Sequence, residues 1–265
     1  MKKPLVGVLG GMGPLATVDF LGKLIEETPA EIDQEHVPVV VWSVPQIPDR
    51  QKALDDAGES PLPALIEGID RLTDAGATRV AIACNTAHAW YDALSARSPV
   101  PILHIVDAVV ARLKIEVAAP ARVGVLATRG TLASGIYQTR LAREGFDGLF
   151  NTDEELDALF KPGCYSVKRG EIDAGGRLFE RAAAALTERG ATRLILACTE
   201  IPIALERIGS RHLPICIDSN RALAKACVDY WRDATIHSAE KTPERQGPEV
   251  PGITHPARRV SESSR

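Results

Sequence analysis

The sequence lacks any long apolar run. None of its segments approaches the ~20 residues that span a bilayer, and the first apolar segment, residues 5–9, breaks into glycines too soon to be the core of a secretory signal. It also lacks an excess of charge: 31 Lys and Arg against 35 Asp and Glu leave a net −4, with no basic field to collect phosphates, so neither nucleic acid nor a membrane surface is expected as a partner. Five cysteines, an odd number with no Cys-x-x-Cys spacing and no export signal, argue against a disulfide framework and a zinc site. No lysine sits in a recognisable pyridoxal phosphate motif. These absences predict a cytoplasmic protein with reduced thiols, no metal and no cofactor.

What the sequence does contain is one stretch written twice. Gly76-Ala77-Thr78-Arg79-Val80-Ala81-Ile82-Ala83-Cys84-Asn85-Thr86 returns as Gly190-Ala191-Thr192-Arg193-Leu194-Ile195-Leu196-Ala197-Cys198-Thr199-Glu200. Each copy reads as a short apolar strand ending in cysteine. Val6-Gly7-Val8-Leu9 likewise returns as Val123-Gly124-Val125-Leu126, and Val100-Pro101-Ile102 as Leu213-Pro214-Ile215, at offsets of 117, 114 and 113 residues for the three pairs. Near-constant spacing over three segments predicts two homologous α/β halves.

Taken in order, residues 5–9 form a buried parallel strand and Gly10-Gly11-Met12-Gly13-Pro14 a tight turn, with proline suited to the first position of a helix over 15–27. The glycines do not fit G-x-G-x-x-G, so a dinucleotide is not the expected ligand; main-chain N–H groups there suit a carboxylate. Residues 37–42 form the second strand. Pro45-Gln46-Ile47-Pro48-Asp49-Arg50 is then a stiff loop able to hold an arginine in place. A helix over 60–75, the Cys84 strand, and a helix over 106–115 complete the first half.

In the second half, Thr128-Arg129-Gly130-Thr131 replaces the glycine turn, so the hydroxyls of Thr128 and Thr131 stand where glycines stood. Helices are expected over 134–144, over 154–160 ending before Pro162-Gly163, and over 174–188, with Lys168 on the connection before the last. Residues 219–231 form the last packed element. The stretch from 236 to 265 holds Pro243, Pro248, Pro251 and Pro256, scattered charges and no apolar periodicity, and is expected to be a flexible tail.

Cysteines at matching strand ends on either side of a cleft suit a reaction that needs an acid and a base on opposite faces of one carbon. Racemisation next to a carboxylate is such a reaction: one sulfur leaves the cycle as thiol, the other as thiolate. The proton is reluctant to leave, so donors must surround the developing enediolate in a water-poor site. Asn85, Thr86, Thr199 and the backbone from Gly11 through Met12 to Gly13 are the natural donors. His88 and Glu200, close to the two cysteines in sequence, are candidate helpers that tune the thiols.

These residues, with Lys168, resemble the cofactor-independent aspartate/glutamate racemases, over a span from residue 5 to about 231. The resemblance implies two pseudo-symmetric three-layer α/β lobes, each with a mainly parallel sheet, an active site in the cleft between them, and a homodimer. The corresponding division is residues 1–105 with 217–235, residues 106–216, and the tail. It further implies that Cys84 and Cys198 are the base pair, serving the D and L enantiomers respectively. Asn85, Thr86 and Thr199 would hold the α-carboxylate or ammonium, with Met12, Gly13, Thr128 and Thr131 around them. Arg50 and Lys168 match the positions that meet a distal carboxylate, which favours aspartate over glutamate.

Relatives on this scaffold include glutamate and broad-specificity amino-acid racemases, hydantoin racemase and maleate isomerase, so the substrate is not fixed by the fold. A non-catalytic amino-acid-binding protein is the remaining alternative. Two intact thiols speak against it.

Overall fold

The computed structural model describes residues 3–55 and 57–240. The first half runs β1 (Val6–Gly10), α1 (Pro14–Glu27), β2 (Val39–Ser43), α2 (Arg50–Leu54), α3 (Leu62–Asp74), β3 (Arg79–Ile82), α4 (Tyr91–Arg97), β4 (Ile102–Leu103) and α5 (Ile105–Glu116). The second runs β5 (Arg122–Ala127), α6 (Arg129–Ala133), α7 (Ile136–Arg143), β6 (Asp147–Phe150), α8 (Asp153–Glu155), α9 (Lys161–Lys168), α10 (Ile172–Glu188), β7 (Arg193–Ala197), α11 (Glu200–Arg207), β8 (Cys216–Asp218) and α12 (Ser219–Glu240).

Two parallel four-stranded sheets result, ordered β2-β1-β3-β4 and β6-β5-β7-β8. The identical order is the structural form of the sequence repeat. Strand alternation sorts the core into layers. Val6, Val8, Ala81, Val123, Val125 and Ile195 face a middle layer of α1, α5, α7 and α12, and this apolar cluster is continuous across both sheets. Leu9, Val80 and Ile82 point to the opposite side of the first sheet, under α3. Leu126, Leu194 and Leu196 do the same in the second sheet, under α9, α10 and α11. Each fully buried Leu or Phe here contributes about 1.5–3 kcal/mol relative to an exposed one.

The glycine turn is held by contacts only glycine permits. A Cβ on Gly10 would lie 2.4 Å from Thr17 Cγ2, and Gly11 has φ +92° with its missing Cβ 2.4 Å from the Val44 backbone. Thr17 fixes the turn from inside, accepting from the Gly11 N–H at 2.8 Å and donating to the Gly13 carbonyl at 3.0 Å.

Four expectations fail for local reasons. The helix foreseen over 134–144 is divided by Gly135 at φ +70°, where α7 starts afresh. Asp147–Phe150, not foreseen as a strand, pairs with β5 at the sheet edge. The helix expected to stop before Pro162 continues through it: Leu156–Phe160 is a π-helical turn leading directly into α9. A widened turn of this kind accommodates a residue that has no N–H and whose ring crowds the preceding turn. Lys168 therefore ends a helix rather than sitting on a loop. Finally, α12 runs to Glu240, five residues into the stretch expected to be a tail; residues 241–265 lie outside the described residues. Among the described residues no helix is long and apolar enough to cross a membrane.

Candidate active site

Cys84 and Cys198 follow the C-terminal ends of β3 and β7, equivalent strands of the two sheets and the ends at which ligands bind in parallel α/β structures. Both are buried and both line one cavity between the sheets. Met12, Arg50, Asn85 and Thr86 line it from the first half; Thr128, Lys168, Thr199 and Glu200 from the second. Its volume is about 20 Å³, room for a water molecule and not for an amino acid.

The Cys198 thiol lies 3.1 Å from Glu200 Oε2, which also accepts from the Thr199 hydroxyl at 3.3 Å. The neighbouring Cys164 thiol, then burial, then the Glu200 carboxylate push the Cys198 pKa well up, so this sulfur rests as a thiol. Burial opposes the charge of Lys168, but Glu200, with Cys164 and Cys198, outweighs it and raises the Lys168 pKa. Its ammonium stands 3.9 Å from Glu200 Oε1.

Asn85 is oriented from both ends. Tyr137, whose hydroxyl burial keeps protonated, donates to Oδ1 at 2.6 Å, while Nδ2 donates to Ser219 Oγ at 2.9 Å. One Nδ2–H is left over. The hydroxyls of Thr86, Thr128 and Thr131 form a triangle with sides of 2.9–3.0 Å. A hydroxyl donates only once, so the closed ring occupies all three donors, and one must rotate before a carboxylate can be bound. Thr131 stands behind the other two and does not line the cavity; nor does Gly13, although a Cβ there would lie 3.4 Å from Glu200 Oε1.

Two expected roles look different once placed. His88 faces the Cys84 main chain, not its thiol: Nδ1 is 2.8 Å from the Cys84 carbonyl and Nε2 is 3.2 Å from the Ile105 N–H. The first contact needs a donor and the second an acceptor, which fixes a neutral ring with the proton on Nδ1. Burial lowers its pKa to about 4. His88 thus holds the strand end that carries Cys84, and it has no free nitrogen to exchange protons with the sulfur.

Arg50 begins α2, capped by Asp49, and is buried. Its Nη1 donates to the Ile47 and Pro48 carbonyls, both at 3.0 Å, and Nη2 reaches the Met12 carbonyl at 3.4 Å. The guanidinium braces its own loop against the glycine turn. Nε–H has no partner and Nη2 has one contact for two hydrogens, so two donors remain for a ligand. Trp42, an edge-strand residue under Arg71, and Trp90, packed in the outer layer of the first half, do not line the cavity.

Sequence reasoning missed three lining residues: Asp49, Gln51 and Cys164. Cys164 had a signal. It precedes Lys168 by four positions, one helical turn, but only on a helix that continues through Pro162.

The model of the Asp/Glu/hydantoin racemase family matches residues 9–227. The chain belongs to that family. It is 29% identical to the broad specificity amino-acid racemase RacX of Bacillus subtilis, over 86% of this chain and 98% of that one. A glutamate racemase of Pseudomonas aeruginosa is 33% identical over 76% of this chain and 71% of its own length. Among solved structures, the Picrophilus torridus aspartate racemase superposes with a TM-score of 0.76 at 33% identity, covering 86% of this chain and 94% of that one. An aspartate racemase homologue from Pyrococcus horikoshii, at 24% identity and TM-score 0.67, shares the fold.

Proposed function

We propose that the protein racemises acidic amino acids, aspartate foremost, without pyridoxal phosphate, by passing the α-proton between Cys84 and Cys198. The observation that carries this reading is the meeting of two buried thiols from equivalent strand ends in one cavity. One thiolate takes the proton from Cα, the electron pair moves into the carboxylate to give an enediolate, and the opposed thiol returns a proton to the other face. The two sulfurs end with their protonation states exchanged. Cys198 starts as the thiol when Cys84 is the base. Where Cys198 must begin as the base, Glu200, already in contact with its S–H, is placed to receive that proton while Cys84 takes one up from solvent, so that thiol and thiolate change places.

The remaining Asn85 Nδ2–H and the threonine hydroxyls are the donors for the α-carboxylate as negative charge builds on it. The free Nε–H and Nη2–H of Arg50, together with Lys168, offer positive charge to a distal carboxylate. A cytoplasmic homodimer is part of the same proposal.

A broad-specificity racemase is the second reading, and a specific observation favours it. Three Arg50 contacts go to main-chain carbonyls and Lys168 is paired with Glu200, which leaves less cationic capacity for a second carboxylate than an exposed pair would offer.

The test is α-proton exchange in deuterated solvent, with purified protein, no added cofactor and a panel of L and D amino acids. Aspartate is expected to lose its α-proton signal and its optical activity. Activity removed by dialysis and restored by pyridoxal phosphate would overturn the mechanism, and turnover confined to uncharged amino acids would overturn the substrate assignment. An amino-acid-binding protein would exchange nothing.

A further inference from the structure

Beside Cys198 stands a second buried thiol that the proposed proton transfer does not use. Cys164 projects from α9, Cys198 follows β7 and Glu200 opens α11, and one ligand atom from each lies within 4.8 Å of the other two. We propose that these three side chains form a site for a thiophilic divalent cation of the zinc type, and that a cation held there stops the enzyme by occupying the Cys198 sulfur.

The donor set fits such an ion. Zinc binds thiolate at ~2.3 Å and carboxylate oxygen at ~2.0–2.2 Å in a tetrahedron, which places its ligands about 3.5–4 Å apart. The contact between Cys198 Sγ and Glu200 Oε2, at 3.1 Å, is already slightly shorter than that. Two sulfurs exclude magnesium and calcium, which take oxygen ligands.

Glu200 also has hydrogen-bonding capacity unused. Glu200 is only 5% exposed, yet its Oε1 has no hydrogen-bond partner. That oxygen is ion-paired with the Lys168 ammonium, 3.9 Å away, at a distance too long for a hydrogen bond. The site's charges close around a divalent ion: two thiols release two protons to solvent, giving two thiolates and one carboxylate against one ammonium and the cation, a total of zero. All three ligands belong to the second half of the chain, so the site is assembled whether or not substrate is present. The sequence had no sign of it because the ligands come from separate elements.

The inhibitory clause rests on the racemase reading; the binding clause does not. A thiolate that shares its charge with a divalent metal is a much weaker base and no longer suited to taking a proton from Cα. The experiment uses reduced, metal-free full-length protein titrated with Co²⁺, then with Zn²⁺ against a chromophoric chelator, without substrate. One Co²⁺ per chain is expected, with thiolate-to-cobalt charge-transfer bands and the strong visible absorption of a tetrahedral ion. Cys164→Ser should remove about half the charge-transfer intensity and weaken Zn²⁺ at least tenfold. Glu200→Gln, which keeps the side-chain volume, should weaken Zn²⁺ similarly while leaving both sulfur bands. Cys84→Ser should leave the cobalt spectrum and Zn²⁺ affinity as they are. Absence of stoichiometric binding, binding indifferent to both Cys164→Ser and Glu200→Gln, or binding lost in Cys84→Ser would each overturn the site. In the racemisation assay one equivalent of Zn²⁺ should stop turnover and a chelator restore it; stoichiometric Zn²⁺ with undiminished turnover would overturn the inhibitory role alone. A protein that binds cobalt as described but racemises nothing refutes the proposed function and leaves the metal site standing.

Discussion

The sulfur of Cys198 and Oε2 of Glu200 stand 3.1 Å apart in a buried setting, so the protonation of one is coupled to the charge of the other. A carboxylate at that distance disfavours the thiolate, and this contact is one of the causes that raise the Cys198 pKa.

Removing the charge should make Cys198 more acidic. In Glu200→Gln, alkylation of Cys198 by iodoacetamide, followed site by site by mass spectrometry, is expected to begin at lower pH than in the parent protein. Racemisation from the enantiomer served by Cys198 should slow more than from the other, because the acceptor for its proton is gone. An unchanged or upward-shifted alkylation profile would show that the carboxylate does not govern this thiol.

Each cysteine should be necessary for racemisation and neither for all exchange. Cys84→Ala and Cys198→Ala are each expected to abolish interconversion while retaining deuterium wash-in from the one enantiomer that faces the remaining sulfur, with opposite preference in the two variants. NMR of the α-proton with resolved L and D substrate reads this directly. Full racemisation by either variant would refute the two-thiol mechanism.

Cys84 and Cys198 were legible in the sequence because duplication placed the same short strand before each, and the sheets repeat that order strand for strand. Arg50, Thr128 and Lys168, which also line the cavity, were legible only through the family resemblance. The edge strand Asp147–Phe150 was hidden because its half-exposed residues carry no apolar run. Cys164 was hidden by a proline that ordinarily ends a helix and here follows a π turn. The turn of His88 toward main chain, and of most Arg50 donors toward Ile47, Pro48 and Met12, depends on tertiary packing that spacing along a chain does not encode.

Arg50 offers a separable test of substrate choice and loop bracing. Arg50→Ala should lower kcat/KM for aspartate about tenfold to a hundredfold more than for an uncharged amino acid the enzyme also turns over, the equivalent of a charged hydrogen bond at ~1.5–3 kcal/mol. Some loss on every substrate is expected as well, since the variant removes two contacts that stiffen the 45–50 loop from within and the one, to the Met12 carbonyl, that holds it to the glycine turn. Loss that is uniform across substrates would leave bracing as the whole role. Lys168→Ala should discriminate less, because an ammonium is a point charge without a fork.

His88 makes the fold sensitive to mild acid. Burial holds its ring neutral in the folded protein down to about pH 4, whereas the unfolded chain takes up that proton near pH 6.5. Between those values the unfolded state binds more protons than the folded one, so stability is fully present above about pH 6.5 and falls as the pH is lowered toward 4. The slope is up to ~1.4 kcal/mol per pH unit and the total ~3 kcal/mol. His104, with its pKa lowered to about 2 by burial and then by the neighbouring His88, adds a second contribution of the same sign. Urea unfolding followed from pH 7 to pH 5, above the range in which most carboxylates titrate, should show stability dropping across the window. His88→Gln is expected to be less stable at pH 7, because the Cys84 carbonyl and the Ile105 N–H lose their shared partner. Its dependence on pH should nevertheless be shallower by about the share of one histidine. The comparison is of slopes, so lower stability of the variant does not obscure it. Parallel profiles for the two proteins would mean that His88 is protonated as readily in the fold as in the unfolded chain.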